Sequence, residues 1–92
     1  MSDFLTIIAL DNETEDILDY ATDNATEAQL QQILQYGMNF SQPEARWQLA
    51  ELAYRRRPRE YLDYLWTLYC DTNSYVRKRA KNCLEYLDIK LP

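Results

Sequence analysis

The chain has 92 residues, 47% of them hydrophobic, with ten Lys or Arg against fifteen Asp or Glu and a formal charge of −5. This length fits one domain with a modest core, and the apolar share excludes a disordered chain. A single glycine argues against a turn-rich sheet protein and a glycine-rich phosphate loop, the absence of histidine removes the usual general-base triads, and no apolar run reaches the roughly 18 residues of a membrane span.

"SDFLTIIAL" fits a short helix or a strand by periodicity alone. It has about the length of a signal peptide, but no basic residue precedes it and acids follow at once, so we read it as part of the fold. "NETEDILDYA" reads as a short acidic helix with Ile17, Leu18 and Ala21 inward and acids at its positive end. Residues 1–24 are thus expected to form a degenerate helix pair that caps the rest of the chain.

"NATEAQLQQILQYG" spaces Thr26 and Gln29 as a capping box, offers Leu30, Ile33 and Leu34 as an apolar face, and has Gly37 as a stop. "FSQPEARWQLAELAYRRR" predicts a second helix with Ser41 as its cap and Pro43 in its first turn. Its main face is Ala45, Leu49, Leu52 and Ala53, and a second stripe of Trp47, Ala50 and Tyr54 predicts contacts on two sides.

From Arg59 to Cys70 only Glu60, Asp63 and Thr67 are polar after the opening arginine, at the i, i+3, i+7 positions of one helical stripe. Such a helix must be covered on both flanks, as a layer in a stack is. Pro58 is read as part of its first turn. "CDTNS" supplies a turn with Asn73 or Ser74 as cap, and a last helix runs from about Tyr75 to Leu87 with Val76, Ala80, Cys83, Leu84 and Leu87 on one face. Arg46 and Arg77 lie 31 residues apart, as do Leu34 and Leu65, which suggests repeated helix pairs. Cys70 and Cys83 are read as core thiols in a reducing cytoplasm, and Trp66 and Tyr69 as core. Tyr64, Tyr75 and Tyr86 are hard to bury together, and exposed aromatic surface favours a homodimer.

"DTNSYVRKRAKNCLEYL" resembles the second half of a HEAT-like repeat, with Asp71, Val76, Arg77, Ala80 and Leu84 matching. The preceding segment keeps Ala45, Arg46 and Leu49 but has Phe40 where the aspartate falls. The resemblance implies an all-α array of about three antiparallel helix pairs, an α-α superhelix, with residues 26–57 and 58–88 as the better-matched repeats behind the capping pair. It also implies that Asp71 and Arg77 serve the fold, since in such arrays the two types join neighbouring repeats. Arrays of this kind mostly bind other macromolecules.

The charge is uneven, with nine acids and no Lys or Arg in residues 1–45 and all ten cations in residues 46–92. Carboxylate pairs such as Glu15 and Asp19 read as a solvated face, so no enzyme, cofactor or metal is expected. Arg55, Arg56 and Arg57 suit the negative end of their helix, and Lys78 and Lys81 share a face in the last one. Together with Arg46, Arg59, Tyr75 and Arg77 they form the expected partner-binding set, because Arg and Tyr are enriched at protein interfaces. The expected function is a non-enzymatic protein-interaction module that contacts its partner with the outward side of the second helices. The alternatives are nucleic-acid backbone binding by the arginine clusters, which the net negative charge disfavours, and a small acidic inhibitor or immunity-type protein. Assistance to pigment-protein assembly rests on the analogy with HEAT-like bilin lyases alone, and this chain is short for a whole lyase.

Overall fold

The computed structural model describes residues 1–13 and 15–91. Thr14, within the acidic segment read as a helix, and Pro92 lie outside the described residues. Six helices follow one another, α1 (Ser2–Leu10), α2 (Asp16–Asn24), α3 (Glu27–Gly37), α4 (Pro43–Arg56), α5 (Leu62–Tyr69) and α6 (Ser74–Tyr86), and there is no strand among the described residues. The fold is all-α.

Local chemistry explains most of the boundaries. α2 opens after Glu15 at φ 59°, and the Asp11 carboxylate accepts from the Ile17 amide at 2.8 Å, so an acid satisfies one donor of the first turn. α3 carries the full capping box, with Thr26 Oγ1 accepting from the Gln29 amide at 3.1 Å and Gln29 Oε1 accepting from the Thr26 amide at 2.9 Å. Asn73 caps α6 by accepting from the amides of Tyr75 and Val76. α6 ends in a Schellman motif, with Asp88 at φ 59°, its amide bonded to the Glu85 carbonyl and the Ile89 amide to that of Leu84.

Two expected boundaries are different. Ser41 does not cap α4, because Pro43 occupies the first helical position and leaves Gln42 as the cap residue. α5 begins at Leu62, and Pro58 lies in the turn before it. A residue before proline is held away from the helical region, and Arg57 (φ −147°, ψ 68°) ends α4 there. α3 does end at Gly37, as expected, but the residue has no positive φ and so does not act as a left-handed cap. Its role is steric, since a Cβ at this position would collide with Cδ1 of the fully buried Leu49.

The interior is built around α4, whose residues Ala45 to Ala50 are all buried, with Leu52 and Ala53 beyond them. Its alanines let neighbours approach closely, and it packs against all five other helices. α6 lies on α4 and α5, which gives layered packing to the second and third pairs. The first pair spreads over α4 instead, with α1 lying more on α4 than on its sequence partner α2. The first segment is a helix, because Leu5, Ile8 and Ala9 fall on one helical face and reach the core together. Gln48, fully buried, donates to the Ile8 carbonyl at 2.7 Å and so satisfies an orphan acceptor in the last turn of α1.

On the outer helix α5 only Leu65 and Leu68 are buried. Trp66 and Tyr69 are half-buried and meet edge to face at 5.8 Å, and Cys70 is exposed, all three less covered than the sequence suggests. The reason is position: α5 packs on α4 and α6 from outside and, among the described residues, has no extensive contact with any other helix.

Candidate functional site

The seven arginines and three lysines of the chain are treated differently by the fold. Arg46, on the buried helix α4, forks onto Asp71 with Nε to Oδ2 at 2.8 Å and Nη2 to Oδ1 at 2.9 Å, and its Nη1 donates to the Phe40 carbonyl at 2.6 Å. It thereby ties the α3–α4 turn to the α5–α6 turn. The backbone oxygen of Phe40, and no side chain of that turn, is what Arg46 meets there. Burial opposes ionisation of Asp71, but hydrogen bonds from Arg46 and from the Asn73 amide outweigh it and hold the carboxyl below its ordinary range. Arg77 donates to the carbonyls of Asp71 and Thr72 at 2.7 and 3.0 Å, closing the turn that precedes its own helix.

Arg55, Arg56 and Arg57 of the "YRRRPRE" cluster face the acidic half of the chain. Arg55 donates to Asp19 at 2.8 Å and lies 3.8 Å from Glu15. Arg56 donates to the carbonyls of Ala21, Thr22 and Ala25, which end α2, and reaches Glu27. Arg57 pairs with Glu27 and Glu60, and Arg59 donates to the Leu87 carbonyl. Three of the nine acids in residues 1–45, Glu15, Asp19 and Glu27, are thus paired with arginines of the second half. Arg79 forks onto Glu51, donates to the Tyr75 hydroxyl at 2.9 Å, and lies over the Trp47 ring at 4.3 Å.

Lys78, Lys81 and Lys90 have no hydrogen-bond or ion-pair partner among the described residues. Lys78 and Lys81 are exposed on α6, and with Arg77, Tyr69, Ser74 and Asn82 they line an open groove of about 550 Å³. Positions 74, 77, 78, 81 and 82 follow helical spacing, so Ser74 and Asn82 could have been found from that period, whereas Tyr69 arrives from α5 through tertiary packing. Tyr75 lies on the adjoining flank, 45% exposed, edge-on to Trp47, in a second shallow site with Glu51, Arg79 and Tyr86. Of the expected partner-binding residues, Arg77, Lys78 and Lys81 thus come together with Tyr75 beside them. Arg46, Arg55, Arg56, Arg57 and Arg59 lie elsewhere, each engaged internally.

Among the described residues no group of three or more His, Cys, Asp or Glu side chains could hold a metal ion, and no helix is long and apolar enough to cross a membrane. The Cys83 thiol lies 3.8 Å from the Ala50 carbonyl, and burial, with Glu51 adding to it, pushes its pKa up to about 12. At neutral pH it is an unreactive thiol. Comparison with known proteins finds no family model, no curated protein and no solved structure that matches this chain.

Proposed function

We propose that this chain is a non-enzymatic protein-interaction module that binds an acidic segment of another protein along the outer face of α6. Arg77, Lys78 and Lys81 supply the charge, and Tyr69, Tyr75 and Asn82 border it with aromatic and amide contacts. One observation carries the reading: Lys78 and Lys81 share a groove and lack internal partners in a molecule whose arginines are all engaged. A HEAT-like array is the scaffold we assign, supported by the Arg46–Asp71 tie between successive turns and by the repeat-spaced arginines. An exposed free Cys70 fits a reducing cytoplasm.

Nucleic acid is the weaker reading, because the arginine cluster that would grip phosphates already holds carbonyls and carboxylates. The test is capture of partners by the wild-type chain and by a Lys78→Glu/Lys81→Glu variant, alongside thermal melting. The variant recovers no specific partner and melts within a few degrees of wild type, since surface changes of this kind cost about 0.5 kcal/mol or less. Equal recovery by both chains removes α6 as the site. Retention of DNA or RNA on a filter at about 50 mM salt, lost with the same variant, favours the nucleic-acid reading instead.

A further inference from the structure

α2 and α6 each carry an outward ridge with the same spacing. On α2 it is Asp16, Asp19, Tyr20 and Asp23, all exposed. On α6 it is Ser74, Arg77, Lys78 and Lys81, also all exposed. Both run i, i+3, i+4, i+7, a single line of side chains about 10 Å long. One ridge is acidic, and the other is cationic until Glu85 ends it. Each has a tyrosine, Tyr20 within the first and Tyr69 beside the second.

The carboxylates of Asp16 and Asp23 have no hydrogen-bond or ion-pair partner among the described residues, and neither have Lys78 and Lys81. Asp19 is held by Arg55 at 2.8 Å, yet its side chain stays 62% exposed. Two other cations lie near the α2 ridge. The Met1 amine belongs to a residue that lines the same groove as Tyr20, and Arg56 is turned to the carbonyls that end α2 and to Glu27. The molecule cannot bring its own two ridges together, because α2 and α6 are both fixed on α4 and share no extensive contact. Their charges can be met only by solvent or by another molecule. A second copy is present wherever the chain is, and it offers the complementary ridge at equal spacing.

We propose that the α6 groove takes α2 of a second copy of this chain. This names a partner for the α6 surface and rests on the reading of that surface as one for acidic segments. Asp16 and Asp23 of one copy meet Arg77, Lys78 and Lys81 of the next, and Tyr20 lies against Tyr69. Two copies that exchange the contact form a two-fold dimer, and one contact per copy gives a growing chain. A contact of one helix on another is small, so the association is weak, and because it rests on exposed charges it falls with salt.

The experiment is sedimentation equilibrium of the full chain up to about 1 mM, at about 50 mM and about 500 mM salt. The wild type associates at low salt and dissociates at high salt. Asp16→Lys/Asp23→Lys alone and Lys78→Glu/Lys81→Glu alone carry like charges on both ridges, and each stays monomeric. Mixed one to one they associate, since each supplies the complement the other lacks. Circular dichroism melts check that each variant folds. If lysine at the positive end of α2 unfolds the first variant, Asp16→Asn/Asp23→Asn must still weaken association about tenfold. A wild type that is monomeric at about 1 mM, association unchanged by salt or by either variant, or a mixture that stays monomeric overturns the proposal. Partner capture that is lost with Lys78→Glu/Lys81→Glu, from a chain that does not self-associate, overturns this inference alone and leaves α6 as a surface for a foreign acidic segment. Equal capture by both chains without self-association removes both readings.

Discussion

Asp71→Asn is the change with the clearest physical consequence. The wild-type carboxylate receives both arms of Arg46 and the Asn73 amide, and the side chains of Arg46 and Asp71 are only 11% and 9% exposed. Asparagine keeps the shape but turns an NH₂ group towards a guanidinium donor and leaves a nearly buried cation without its counter-charge. Removing one member of a buried pair costs on the order of 3 kcal/mol, somewhat less where water reaches the edge. For a domain of this size that is a fall in melting temperature of about 12 °C or more. The pH dependence adds a second handle. Asp71 titrates below its unfolded value in the native chain, so its contribution is complete above about pH 4 and is lost as pH falls through the native pKa. Urea unfolding followed by circular dichroism should show the gap between wild type and variant at pH 7 and its closure in acid. Pairing Asp71→Asn with Arg46→Leu should cost less than the sum of the two single changes by roughly 1–3 kcal/mol. Additivity within about 0.5 kcal/mol, or a gap that persists in acid, would refute the role given to the pair.

Packing and burial set two further outcomes. Gly37→Ala at an exposed helical position would stabilise by up to about 1 kcal/mol, but here the added methyl meets Leu49, so denaturation should show a net loss of roughly 1–3 kcal/mol. A thiol reagent at neutral pH should modify Cys70 rapidly and leave Cys83 untouched until the chain unfolds, and mass spectrometry of the labelled protein distinguishes the two.

The division between arginine and lysine has a physical basis. A planar guanidinium can satisfy a carboxylate and a carbonyl at once and tolerates partial burial, as Arg46 and Arg56 both do. A lysine ammonium is a strongly hydrated point charge and favours open solvent. In this chain Arg46, Arg55, Arg56 and Arg57 join the first half to the second, the other guanidinium groups hold turns and carboxylates of the second half, and the ammonium groups remain on the surface.

Much of the fold was legible in the order of residues, because it depends on neighbours within a turn or two. The helical class, the Thr26–Gln29 box, the Asn73 cap and the inward face of α6 are of this kind. They follow from side-chain oxygens within reach of local amides and from a period of 3.6 residues. Whether "SDFLTIIAL" became a helix and why a glycine was needed at position 37 depended on α4, whose surface both touch. The candidate site divides the same way. Clustered cations are visible in the sequence, but which of them remain free is decided by acids and carbonyls 25 to 36 residues away, as Arg46 with Asp71 and Arg55 with Asp19 show. Those partners are close in space only after α2 and α6 have each come to rest on the same central helix, and no local rule of sequence contains that distance.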